Sequence, residues 1–308
     1  MFQRIVVPLD GSRFAEAALA PACELARAFG SRIFVMRAVG PLDMLYPSRG
    51  ERQHIDIEQV DEADAYLHRV TDRLRRASYD ADLLVTLAST GAGIAQSAAV
   101  ERADLVVMAG HLRWKVPASS TISASLNVLV QSHVPLLVWR VGATEEWDGR
   151  EGEQGAPLLA NADMPLIVPL DGSPLAEQAL PYAESLARGL GLSLVLVRAT
   201  SQADTGSEAQ QYMRRIETEL EQRGVHVTSV THVGDPLSVI EMAWRKHSGE
   251  LIVMASRGQP GPHGTFFGSL AARIIEEVEA PVLVVRPPAV ASNGRDDARD
   301  WIAEPPDA

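Results

Sequence analysis

The chain holds one cysteine, Cys23, among 308 residues. That excludes an internal disulfide framework and a cysteine zinc cage, and it fits a reducing compartment. No uninterrupted apolar run reaches the roughly 18 residues that span a bilayer, so no membrane partner is expected. The opening MFQRIVVPLDGS has no basic head or cleavage site of a secretory signal, which predicts a cytoplasmic protein. Positive charge is also scarce: 28 Lys and Arg against 40 Asp and Glu give a net charge of −12. Affinity for a nucleic-acid backbone comes from Lys and Arg displacing counterions, so that class of partner is excluded, although a small anion at one local site is not. The apolar share of 46% is ordinary for a globular chain, and the length predicts about two domains.

The chain repeats itself. Ile5 to Ala38 lies over Leu166 to Ala199 at an offset of 161, with 17 identities in 34 positions and an unbroken VPLDGS. Asp104 to Gly110 matches Glu250 to Ser256, and Val134 to Arg140 matches Ala280 to Arg286, both at an offset of 146. The difference of 15 residues is assigned to the Pro- and charge-rich stretch Gly40 to Gln59. Units this long are duplicated domains rather than solenoid repeats.

Each copy parses alike. Apolar strands (Ile5 to Leu9, Ile33 to Ala38, Leu83 to Leu87, Leu105 to Ala109 and Leu136 to Trp139 in the first) alternate with helical patterns. In the second copy the strands are Leu166 to Leu170, Leu194 to Ala199, Val225 to Val230, Leu251 to Ala255 and Val282 to Val285. Strands with no polar alternation, separated by helices, predict a parallel sheet covered on both faces. With right-handed crossovers the fold class is α/β: two tandem doubly wound, Rossmann-like domains of five parallel strands each. The expected limits are 1–141 and 164–287 for the domains, with a polar, Gly-rich linker at 142–163 and a mobile tail at 288–308. Ser12 and Ser173 suit helix N-caps, and Pro174 suits a first helical turn.

In such sheets ligands bind beyond the carboxyl ends of the strands, where strand order reverses. Two loops of the second copy reach that place: the Asp171-Gly172-Ser173 turn, and Ala255 to Val278 after the fourth strand. The latter holds Gly258, Gly261, Gly264 and Gly268, then Ser269 at the start of an amphipathic helix. Glycines let backbone amides approach an anion, and a helix N-terminus adds free N–H groups and partial positive charge. Arg257 adds a bidentate phosphate donor. The competing reading is a plain surface loop whose Ser269 only caps its helix.

A strand ending in PLDGS, the VGDP turn (Val233 to Pro236), VMAS before Gly-x9-Gly-Ser and a closing APVLVV together resemble the universal stress protein family. The resemblance covers both copies. It implies that ATP, with Mg, binds through a Gly-x2-Gly-x9-Gly-Ser/Thr pattern, of which this chain has Ala255-x2-Gly258-x9-Gly268-Ser269, the first glycine being replaced. Gly258, Gly268 and Ser269 are then implied to hold phosphates, Asp171 to lie by the adenosine, and the backbone of Ala199 to meet the adenine. It also implies dimerisation through the fifth strand. The apolar VLVV edge leaves pairing with the first copy or with a second chain open.

The first copy departs from the pattern, with Leu112 and Ile122 where the second has Gly258 and Gly268, although Asp10 and Ser123 remain. A branched side chain at Ile122 fills the space a phosphate needs, so the first site is expected to be degenerate. Among other candidates, His263 lies in the glycine loop, Gly189-Leu190-Gly191 reads as a helix C-cap, and Cys23, aligned with Glu184, is expected on a solvent-tolerant face. The acidic run Glu276, Glu277 and Glu279 opposes its helix dipole and reads as a solvated face. No catalytic apparatus is evident. The expected function is an ATP-binding stress-response regulator acting on an unidentified protein partner. The alternatives are a structural protein with two vestigial sites and a slow ATPase.

Overall fold

The computed structural model describes residues 1–40, 57–110, 132–140, 164–201, 207–256 and 269–286. Ten strands form one continuous sheet. The first copy supplies β1 (Arg4–Pro8), β2 (Arg32–Val39), β3 (Ala81–Leu87), β4 (Leu105–Gly110) and β5 (Leu136–Arg140). The second supplies β6 (Leu166–Pro169), β7 (Leu194–Thr200), β8 (Val227–Val233), β9 (Leu251–Ala255) and β10 (Val282–Val285). The order is β3-β2-β1-β4-β5-β10-β9-β6-β7-β8, parallel within each half.

The halves join where β10 pairs antiparallel with β5. Leu137 lies opposite Leu283, its own counterpart in the repeat, with Val138 opposite Val282 and Leu136 opposite Val284. A pseudo-two-fold axis therefore passes between Leu137 and Leu283. The VLVV edge is covered from within the chain, which removes a strand edge open to other molecules.

Helices cover both faces: α1 (Arg13–Glu16), α2 (Leu19–Phe29), α3 (Ile57–Arg76) and α4 (Thr90–Val100) in the first half. The second half has α5 (Leu180–Leu190), α6 (Ser207–Gln222), α7 (Pro236–Lys246) and α8 (Ser269–Glu277). Alternate strand residues feed two cores. Val7, Val107, Leu137, Leu166, Val168 and Leu283 pack with residues of α2, α3, α5 and α6 in one cluster that crosses the junction. Val6, Met36, Val138, Ile252 and Val284 face α4, α7 and α8 in the other. Each aliphatic side chain so buried contributes about 2 kcal/mol, and the two halves share that burial.

Several local expectations change. Ser12 caps α1, its Oγ accepting from Ala15 N at 3.1 Å. In the second copy Pro174 precedes the helix instead of opening it: a 3-10 turn, Ala176–Ala179, comes first, and Pro181 occupies the first turn of α5. Gly191, with φ +72°, ends α5 as a left-handed C-cap, while Gly189 lies inside the helix. Cys23 is buried at 5% exposure, so the solvent-tolerant face expected for it is wrong. Its counterpart Glu184 has a largely buried side chain too, and pairs with Arg188 and Arg223, both at 3.0 Å. A carboxylate at one copy's position therefore did not imply solvent at the other's.

Candidate functional site

β6 lies between β7 and β9, so the chain leaves it in one direction along the sheet and returns on its other side. That is the switch point of the second half, and the crevice beyond its strand ends is framed by the segments after β6 and β9. After β6, Asp171 Oδ1 accepts from Ser173 N at 2.8 Å and Ser173 Oγ accepts from Ala176 N at 3.2 Å. Gly172 between them has φ +88°, a left-handed conformation that suits glycine. The Asp-Gly-Ser turn thus holds the Asp171 carboxylate at the strand's end by local bonds.

Ala199 lies at the same edge, one residue before the end of β7 and paired with His232 of β8. Ser256 comes directly after β9. Its N–H donates to Val285 O at 3.0 Å, its residue is 5% exposed, and its Oγ has no hydrogen-bond partner among the described residues. Ser269 is the first residue of α8. The structure therefore brings Asp171, Ala199 and Ser269 to one edge of one half. Arg257, Gly258, Gly261 and Gly268, with His263, lie outside the described residues, as do the linker and the tail.

The sequence reading missed a stack beneath the turn. The Arg198 guanidinium lies 3.1 Å from where a Cβ on Gly172 would sit, so a side chain there would have to push it aside by a few tenths of an ångström. Arg198 also lies 5.2 Å over the Tyr212 ring, which Arg215 approaches at 5.4 Å, and Arg215 pairs with Glu177 at 2.9 Å. Burial, and then the Glu177 charge, push the Tyr212 hydroxyl up and keep it protonated. The first half repeats the arrangement: Arg37 lies 3.4 Å from a would-be Cβ on Gly11 and 5.9 Å over Tyr66, whose hydroxyl donates to Glu16 at 2.8 Å. The signal was present in the repeat, since Arg37 matches Arg198 and Tyr66 matches Tyr212. The Asp10 turn is likewise intact, with Asp10 Oδ1 accepting from Ser12 N at 2.8 Å.

The halves differ after their third strands. Asp235 caps α7, Oδ2 accepting from Ser238 N at 3.3 Å, and also meets Arg273 of α8 at 3.4 Å. The Ser238 amide bond and Arg273 hold its carboxyl below the usual carboxylate range. Ser89, at the equivalent place, makes no side-chain cap bond to α4.

The universal stress protein family model matches residues 1–140 and 164–286. The chain belongs to the universal stress protein family. A universal stress protein of Methanocaldococcus jannaschii is 25% identical over 139 residues, 40% of this chain and 82% of that one. One from Synechocystis is 25% identical over 119 residues, 39% and 74%. Each of these relatives therefore matches about the length of one half. The crystal structure of a universal stress protein from Archaeoglobus fulgidus spans both halves. It superposes with a TM-score of 0.74 at 19% identity, covering 93% of this chain and 99% of that one, a likeness in fold. Among the described residues no helix is long and apolar enough to cross a membrane.

Proposed function

We propose that the chain is an ATP-binding regulatory protein of the stress response, with one working nucleotide site, in the second domain. The observation that carries this reading is the convergence at the β6/β9 switch point. The Asp171 turn, the backbone of Ala199, Ser256 directly after β9 and the N-terminus of α8 lie at this one edge of the sheet. The segment joining Ser256 to Ser269 carries Arg257, Gly258, Gly261 and Gly268, a composition suited to wrapping phosphates. Asp171 is suited to accept from a ribose hydroxyl. A magnesium ion would enter on the triphosphate, since such ions keep several waters and bind largely through phosphate oxygens. Occupancy would then alter the surface presented to a protein partner.

The test is mass spectrometry of small molecules released on denaturing the purified chain, with thermal unfolding in Mg-ATP. ATP at 100 times its Kd stabilises by about 2.7 kcal/mol, and Gly268→Val is expected to abolish that shift. No co-purified adenine nucleotide together with no Mg-ATP shift would leave the vestigial-site reading in its place.

A further inference from the structure

We propose that Arg140, on the last strand of the first domain, is a positioning residue for the phosphate end of the nucleotide site in the second. The inference rests on the function proposed above and assigns the first domain a part in it.

Helix α8 is nine residues long, and its last turn is acidic: Glu276 and Glu277 lie within it, Glu279 just beyond, and no basic residue of its own stands there. Carboxylates at that end oppose the helix dipole, and the last carbonyls of a helix lack intrahelical donors. Arg273 of the same helix pairs with Glu277 at 3.6 Å and Arg245 with Glu279 at 3.7 Å, whereas the cation at the last carbonyls comes from the other domain. Arg140 ends β5, next to the antiparallel pairing with β10, and its guanidinium crosses the junction. Nη2 donates to Ile275 O and, at 3.5 Å, to Ile274 O, while Nε donates to Ala280 O at 3.3 Å. One planar fork thus ties the C-terminal turn of α8 to the loop that leads into β10. Burial pushes the Arg140 pKa down to about 10, which still leaves it charged at neutral pH.

The far end of the same short helix is Ser269, the place assigned to the phosphates. A helix of nine residues is about 14 Å long and moves as one piece, so fixing its C-terminus fixes where its N-terminal N–H groups point. Space for the arginine is also built in. A Cβ on Gly110 would meet Val138 Cγ1 at 2.4 Å and the Arg140 guanidinium at 3.2 Å, whereas Ser256 stands at the matching position of the second half.

The pseudo-two-fold supplies an internal control. Arg286, the counterpart of Arg140, reaches back into the first domain, where Nη1 donates to Ser132 O at 2.7 Å. The two arginines lie in matching places on the same junction, but it is Arg140 that bonds to the helix bearing Ser269.

The experiment compares full-length wild type, Arg140→Met, Arg140→Lys and Arg286→Met by calorimetric titration with Mg-ATP and with adenosine, alongside hydrogen exchange of 269–277. Arg140→Met is expected to weaken ATP about tenfold and to leave adenosine within twofold. Arg286→Met, though it removes an equivalent junction contact, leaves both within twofold. Arg140→Lys keeps the charge without the fork and gives a smaller loss confined to ATP, which reads the effect even if the methionine variant does not fold. Equal ATP losses for Arg140→Met and Arg286→Met, or an unchanged ATP affinity in Arg140→Met, would overturn the proposal. If wild type takes up neither ligand, the proposed function fails separately. Exchange then decides the positioning role: faster exchange in 269–277 for the Arg140 variants alone supports it, and no difference from Arg286→Met overturns it.

Discussion

Glu250 opens the segment into β9, donates its N–H to Pro165 O at 2.9 Å and is only 8% exposed. Burial, and secondarily the Glu24 carboxylate on α2 of the other half, push its pKa from 4.5 to about 7. Between those two values the folded chain holds a proton that the unfolded chain has released. Stability therefore falls as pH rises from 4.5 to 7 and stays at the lower level above that window. The difference corresponds to about 3 kcal/mol at pH 8, at 1.36 kcal/mol for each pKa unit. Glu250→Gln keeps the size and removes the charge. Urea unfolding should show it more stable than wild type at pH 8 by up to about 3 kcal/mol, and indistinguishable at pH 4.5. Glu24→Gln should recover only the smaller part, because burial is the larger cause. Parallel stability–pH curves for wild type and Glu250→Gln would refute the reasoning.

The junction and the core carry two further expected outcomes. A Cβ on Gly189 would meet the Phe29 ring of the first domain at 2.4 Å, and that ring is held 5.2 Å from Phe2, which also packs edge-on against Tyr182. Gly189→Ala gains up to about 1 kcal/mol of helix propensity but displaces the ring, for a net loss of about 1–2 kcal/mol by overpacking in thermal unfolding. Cys23 is buried, so a thiol reagent should label it in urea at once and in the native chain only at the rate of opening.

The repeat made the architecture legible, because identical VPLDGS segments fix two equivalent first strands and every later element is located by offset. It did not reveal that the two sheets are one, since VLVV reads the same whether it pairs within the chain or outside it. The edge strands were placed less well. Apolarity put the third strands at Leu83 to Leu87 and Val225 to Val230, whereas β3 begins at Ala81 and β8 runs Val227–Val233. Each has a single strand neighbour and a mixed burial pattern, so apolarity marks its ends poorly. Spacing and resemblance placed Asp171, Ala199 and Ser269 at one edge of the sheet, and the structure has them at that edge. Arg198 and Tyr212 were not found this way: their repetition as Arg37 and Tyr66 was legible, but that they stack on one another emerges only in the fold. The arginine at the C-terminal carbonyls of α8 was not legible because it is far away in the chain, with 135 residues from Arg140 to Ile275.

The most direct measurement is the number of Mg-ATP molecules bound by one full-length chain, by calorimetry. The turns of Asp10 and Asp171 are alike, so the proposal places the difference between the two halves chiefly in the segments after β4 and β9, where Ile122 stands against Gly268. One site per chain, lost in Gly268→Val and kept in Asp10→Ala, is the predicted result. Two equivalent sites, or one site that survives Gly268→Val, would contradict it.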